Sequence, residues 1–188
     1  MKRINCSISK KGSLERAIKE LEAYKKSLKQ KSQTFVERLI EVGIQAAKAH
    51  SGKYTDMIVF TKELEQSVNG CKGVLIATDG QKVISEWYAS KKDAEKHENV
   101  RSYEISPILL AEFGSGWLAN VLGNVPGVGQ GTMPNAMGHA TDPDGWYWYD
   151  DNAVKHHSIG EAPTYPMHNA SMAILSEIDH IAREVFNG

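Results

Sequence analysis

The sequence predicts an α+β fold: a long N-terminal helix or helix pair and a C-terminal helix packed on an antiparallel β-sheet, with a long loop insertion. Three observations predict it. Apolar residues recur at helical spacing from Leu14 to Ala46 and again from Met167 to Val185. Between these stretches lie short apolar runs of strand length, Met57–Phe60, Val74–Ala77 and Val83–Ser85. The segment from Glu112 to Ala170 is aromatic but too rich in Gly, Pro and Asn to form one long element.

The elements follow in order. Ile4, Cys6 and Ile8 alternate on one face, so Arg3–Ser9 reads as a short strand. Ser13 is a candidate N-cap for the first helix. Its stripe runs through Leu14, Ala17, Ile18, Leu21, Tyr24 and Leu28, then Phe35, Leu39, Val42 and Ala46. The polar patch Lys29–Gln33 marks a bend or a break between two helices, and Gly43 weakens the second half slightly. The helix should end near Gly52, which suits a C-terminal cap. Thr55–Thr61 reads as strand. Asp79-Gly80 between two apolar runs predicts a hairpin turn. Lys91–Asn99 reads as a charged loop or hairpin end, and Ile105–Phe113 fits helix or strand. Pro166 suits the first turn of the last helix, Tyr165–Phe186.

The 188 residues are read as one domain, with a loop-rich insertion at about 114–162. The formal net charge is −1, which gives no steering towards nucleic acid or an anionic membrane. The lysines from Lys10 to Lys31 are interrupted by Glu15, Glu20 and Glu22, as on a solvated helix face. Two distant cysteines, Cys6 and Cys71, make no disulfide framework and fit a reducing cytoplasm. No apolar run approaches the roughly 20 residues needed to span a bilayer. The polar start, Met1–Ser7, is unlike a signal peptide.

Catalytic motifs are sparse. Gly127–Gly131 lacks the Lys-Ser/Thr ending of a phosphate-binding loop. His139, His156, His157 and His168, with Asp142, Asp144, Asp150 and Asp151, match no ordered zinc or EF-hand spacing. Asp142-Pro143-Asp144-Gly145 reads as a turn. No cofactor or metal is expected. In Trp146-Tyr147-Trp148-Tyr149, alternation puts the two tryptophans on one face of a strand and the two tyrosines on the other. Such a strand either packs both faces within its own domain or buries one against another subunit; sugar stacking is a third option. The interface anchors expected are Phe113, Trp117, Trp146, Trp148, Tyr149 and Tyr165.

Three marks occur in one order: Thr61-Lys62-Glu63-Leu64-Glu65-Gln66-Ser67-Val68, then Ala111-Glu112-Phe113-Gly114-Ser115, then Trp146–Asp150 with Gly160 and Pro163-Thr164-Tyr165-Pro166-Met167. In that order the chain resembles the head–tail joining or tail-completion (neck) proteins of long-tailed bacteriophages and prophages, over roughly residues 13–186. It departs from the family pattern at Lys62, where Gly is usual, and along Asn120–Thr141, which does not align. The resemblance implies a non-enzymatic virion protein, made in the host bacterial cytoplasm and placed at the tail neck. It implies a homo-oligomeric, hexameric ring that contacts a connector or adaptor protein and the tail tube or tail terminator. No sequence-specific nucleic acid binding and no membrane partner are implied. A closed ring needs two different patches on each subunit, which free strand edges and aromatic loops can supply. The alternative is a cell-wall or polysaccharide-active enzyme using the Trp/Tyr cluster with Asp144 or Asp150. A metal-stabilised binding module is a third possibility.

Overall fold

The computed structural model describes residues 12–67, 70–81, 83–122 and 141–187. The fold is α+β. A 37-residue helix, α1 (Ser13–Ala49), is followed by a 3-10 turn (Gly52–Met57), then strands β1 (Ile58–Gln66), β2 (Cys71–Asp79) and β3 (Val83–Trp87). Next come α2 (Lys91–Lys96), β4 (Arg101–Ile105), α3 (Pro107–Phe113) and α4 (Gly116–Leu122). The chain closes with β5 (Trp146–Tyr149), β6 (Lys155–Ser158), β7 (Gly160–Glu161) and α5 (Pro166–Asn187).

The strands form three two-stranded antiparallel ribbons among the described residues: β1 with β2, β3 with β4, and β5 with β6. The backbones of Tyr88 and Tyr149 bridge the second ribbon to the third. The core lies where the 3-10 turn and β1 meet α3. Tyr54, Ile58, Leu110 and Ala111 are buried there, with Met57, Phe60, Ala77, Ile105 and Ile108 packed around them. Each aliphatic side chain of Leu or Ile size buried in this way contributes about 1.5–3 kcal/mol.

Glycine decides how closely α1 sits against its neighbours. A Cβ on Gly73 of β2 would overlap Ile40 and Val36 of α1. One on Gly43 would stand 2.7 Å from Ile174 of α5 and 2.9 Å from Leu75 of β2. The glycine that looks like a weak point in the helix is therefore where helix, strand and helix converge.

Several expectations are corrected. The N-terminal stripe, open between one helix and a pair, is the single helix α1, with Lys29–Gln33 inside it. At this patch Gln66, at the end of β1, donates to the Lys29 carbonyl at 3.0 Å and Lys31 Nζ to the Phe186 carbonyl at 3.3 Å. Gly12, not Ser13, holds the N-cap position. Of the expected strand Thr55–Thr61, residues 58–61 lie in β1 and residues 55–57 in the 3-10 turn that precedes it. Asp79-Gly80 does not join a hairpin, because β2 pairs back with β1, from Gln66↔Cys71 to Ile58↔Asp79. The Asp79 carboxylate instead accepts from the Ile108 N–H at 2.9 Å, at the start of α3. Lys91–Lys96 is a short helix, capped by the Ser90 hydroxyl, which accepts from Asp93 N–H. Ile105–Phe113 divides into the end of β4 and α3, with Pro107 in its first turn. The Arg3–Ser9 strand and the Gly127–Gly131 loop lie outside the described residues.

Candidate aromatic interface

The β5–β6 ribbon is built from cross-strand aromatic pairs. Its register sets Tyr147 opposite His157 and Trp148 opposite His156. Directly opposed side chains on one face of an antiparallel pair are close enough to stack. Tyr147 and His157 stack at 4.5 Å between centroids with 27° between planes, and Trp148 and His156 at 4.2 Å and 17°. Alternation then separates two faces. Trp146, Trp148 and His156 are half-buried, whereas Tyr147, Lys155 and His157 are exposed. Lys155 Nζ lies 3.9 Å from the Tyr147 ring centre, a cation over a π face.

Both ends of the ribbon are tied by aspartate turns. The Asp150 carboxylate accepts from the Asn152 and Val154 N–H groups, each at 2.9 Å, and from His156 Nε2 at 3.0 Å. The His156 bond first, and then the Val154 N–H, hold Asp150 below the usual carboxylate range. At the other end Gly145 N–H donates to the Asp142 carbonyl at 3.1 Å, and Asp144 N–H to the Asp142 carboxylate at 3.0 Å. Asp142–Gly145 is thus the turn its sequence predicts. His157 Nε2 meets the Asp144 carbonyl at 2.7 Å. Because a carbonyl only accepts, that nitrogen carries the proton. Asp144 and Asp150, the acids of the enzyme alternative, therefore both help to shape turns.

The ribbon is anchored through Tyr88. Tyr88 and Tyr149 exchange backbone hydrogen bonds of 2.9 and 3.0 Å, and the Tyr88 hydroxyl donates to Asp151 at 3.0 Å. That carboxylate, with burial, pushes the Tyr88 phenol up from its ordinary value.

The two feet of the insertion meet in a clasp. Ser115 bridges Glu161, and Gly116 bridges Gly160. A Cβ on Gly160, whose φ is +101°, would collide with the Ser115 carbonyl. Tyr165 and Thr164 N–H both donate to the Ala111 carbonyl. Glu161 is held by Tyr54, whose hydroxyl donates at 2.6 Å, and by Lys53 at 2.9 Å. Burial, and then the Glu161 carboxylate, push the Tyr54 phenol far above its ordinary range.

The expected anchors are distributed rather than gathered on one surface. Trp146 rests over Gly116, Trp148 is stacked on His156, and Tyr149 is half-buried against Tyr88. Phe113 ends α3 and Trp117 is the second residue of α4, both half-buried. Tyr165 sits at the clasp with φ +56° and a buried hydroxyl that has no hydrogen-bond partner among the described residues. The outward ring is Tyr147, 55% exposed, which is absent from the expected anchors. The period-2 pattern could have found it, since it sets Tyr147 opposite in facing to Trp146 and Trp148. Among the described residues no three of His, Cys, Asp and Glu converge as a metal site would require, and no helix is long and apolar enough to cross a membrane. In comparisons with family models, curated proteins and solved structures, nothing matches the chain.

Proposed function

We propose that the protein is a structural component of a phage neck, which completes the tail at the head–tail junction as a ring of identical subunits. The observation that carries this reading is the clasp. Two of the three marks behind the resemblance, Ala111–Ser115 and the Pro163–Met167 part of the third, are joined by hydrogen bonds. Residues spent on joining two segments suit a scaffold that displays a loop. The displayed part ends in a ribbon whose outer face is Tyr147, His157 and Lys155. Tyr is a favoured interface anchor, and a second subunit can cover this face without entering the core. The ribbon edges that carry no partner strand among the described residues offer the second, different patch that a ring needs.

Native mass spectrometry and electron microscopy of the purified protein, alone and mixed with isolated heads and tails, test the reading. Closed rings, or subunits that assemble on one of those particles, are expected. A protein that stays monomeric and binds neither particle overturns it.

A further inference from the structure

One close approach fixes the two faces of the β1–β2 ribbon. Leu64 stands opposite Gly73 in the register, and a Cβ on Gly73 would overlap Ile40 and Val36 of α1. That pair therefore faces the helix. By alternation the flanking pairs, Glu63 with Val74 and Glu65 with Lys72, face away from it. All four are exposed, Val74 to 38%. Together with Leu64 they line an open hollow of about 370 Å³. The neighbouring Lys62 is committed to α1, where it pairs with Glu37 and Glu41 at 2.8 and 2.9 Å. The hollow thus has an aliphatic wall at Val74 and a rim of two carboxylates and one ammonium, acidic on balance.

Such a hollow is complementary to an aromatic ring that carries a cation with it. The chain presents one on its own surface. Lys155 Nζ lies 3.9 Å from the centre of the Tyr147 ring, His157 is stacked on that ring, and Tyr147 is 55% exposed. Of the other rings with a cation over them among the described residues, Tyr54 is buried and Trp87 half-buried. Lys155 and His157 hold the Tyr147 ring before any contact is made, so little rotamer freedom is left to lose on docking.

We propose that Tyr147 and Lys155 of one subunit dock in the β1–β2 hollow of a second copy of this chain, the ring against Val74 and the ammonium between Glu63 and Glu65. Charge selects the occupant and the pairing. Two Tyr147 faces brought together would oppose two lysines, and two hollows brought together would oppose their carboxylates. Knob against hollow is the combination that opposes unlike charges. Because the two patches differ, the contact is heterologous: each subunit gives its knob to one neighbour and its hollow to the other. The inference rests on the ring reading and supplies the second patch that the ring needs.

Native mass spectrometry of two full-length variants tests it, with helicity checked by circular dichroism. Both change exposed residues only. Tyr147→Ala removes the knob and should weaken the contact about thirtyfold or more; Glu63→Lys with Glu65→Lys reverses the rim and should weaken it about tenfold or more. Mixed in equal amounts, the two variants should form pairs of one with the other and nothing larger. The intact knob of one fits the intact hollow of the other, and the two patches left over are both defective. Where wild type assembles only on heads or tails, the variants are read with those particles present. Wild-type rings that persist when Glu63 and Glu65 are reversed overturn the inference and leave the ring reading standing, and so do variants that fail to pair when mixed. A wild-type chain that forms no ring, alone or with heads and tails, overturns the ring reading and the inference together.

Discussion

Glu112 caps a helix that begins more than fifty residues later in the chain: its Oε2 accepts from the Met167 N–H at 2.8 Å, and its Oε1 from the His168 N–H at 3.2 Å. Both donors belong to the first turn of α5, which the helix itself leaves unpaired. A carboxylate there also meets the positive end of the helix dipole.

Replacing Glu112 should therefore cost more than a local cap. Glu112→Ala is expected to destabilise the protein by about 1–2 kcal/mol, and Glu112→Gln by less, since an amide keeps one acceptor but no charge. Urea denaturation midpoints read both. An unchanged midpoint for the Ala variant would show that the cap contributes nothing.

Gly43→Ala distinguishes helix propensity from packing. Propensity alone predicts a gain of about 1 kcal/mol. The approach of Ile174 and Leu75 predicts a loss of about 1–3 kcal/mol by overpacking. Thermal unfolding gives the sign, and a rise in Tm would refute the close packing.

Tyr54 predicts an alkaline limit. Its folded phenol is raised, so its contribution is complete below the ordinary tyrosine value of about 10. Above that value the unfolded chain ionises first, and stability falls as pH rises. Tyr54→Phe should flatten the fall between about pH 9 and about pH 11. Equal slopes in both proteins would mean that the Glu161 bond is not responsible.

Asp150 predicts the opposite limit. Its folded carboxyl is lowered, so its contribution is present above the ordinary value of about 3.9 and is lost as pH falls through the folded one. Asp150→Asn should lower the urea midpoint at neutral pH and remove part of the acid dependence. The prediction fails if wild type and variant show the same midpoint from neutral pH to about pH 3.

Tyr147 separates folding from assembly. Tyr147→Ala should cost folding no more than about 1 kcal/mol, the scale of its cross-strand stack on His157, because the ring is otherwise exposed. In the ring reading it should weaken the subunit contact by about 2 kcal/mol or more. Native mass spectrometry at graded concentration measures the contact, and unchanged assembly would move the interface elsewhere.

What the sequence made legible follows from the range of each interaction. α1 and α5 were readable because their stripes repeat within one turn, from Leu39 to Val42 to Ala46 and from Ala170 to Ile174 to Ile178. The Trp146–Tyr149 strand and the Asp142–Gly145 turn were readable for the same local reason. Asp79-Gly80 misled because one dipeptide serves equally a hairpin turn and a cap on a distant helix. The competing signal, Asn69-Gly70, lies between the paired ends Gln66 and Cys71. α2 was missed because six mostly charged residues have no apolar period to show; its marks are Ser90 and Asp93. The clasp was not legible at all. Glu112 with Met167, Gly116 with Gly160 and Tyr54 with Glu161 depend on folding, and no spacing along the chain encodes them.

The clasp also makes the insertion a cassette. Its feet, Ser115–Gly116 and Gly160–Glu161, are fastened directly to each other. Once the feet are fixed, doubling the length of the intervening chain costs only about 0.6 kcal/mol in closure entropy. Chain between the feet can therefore change in length while Gly160 keeps the socket unchanged.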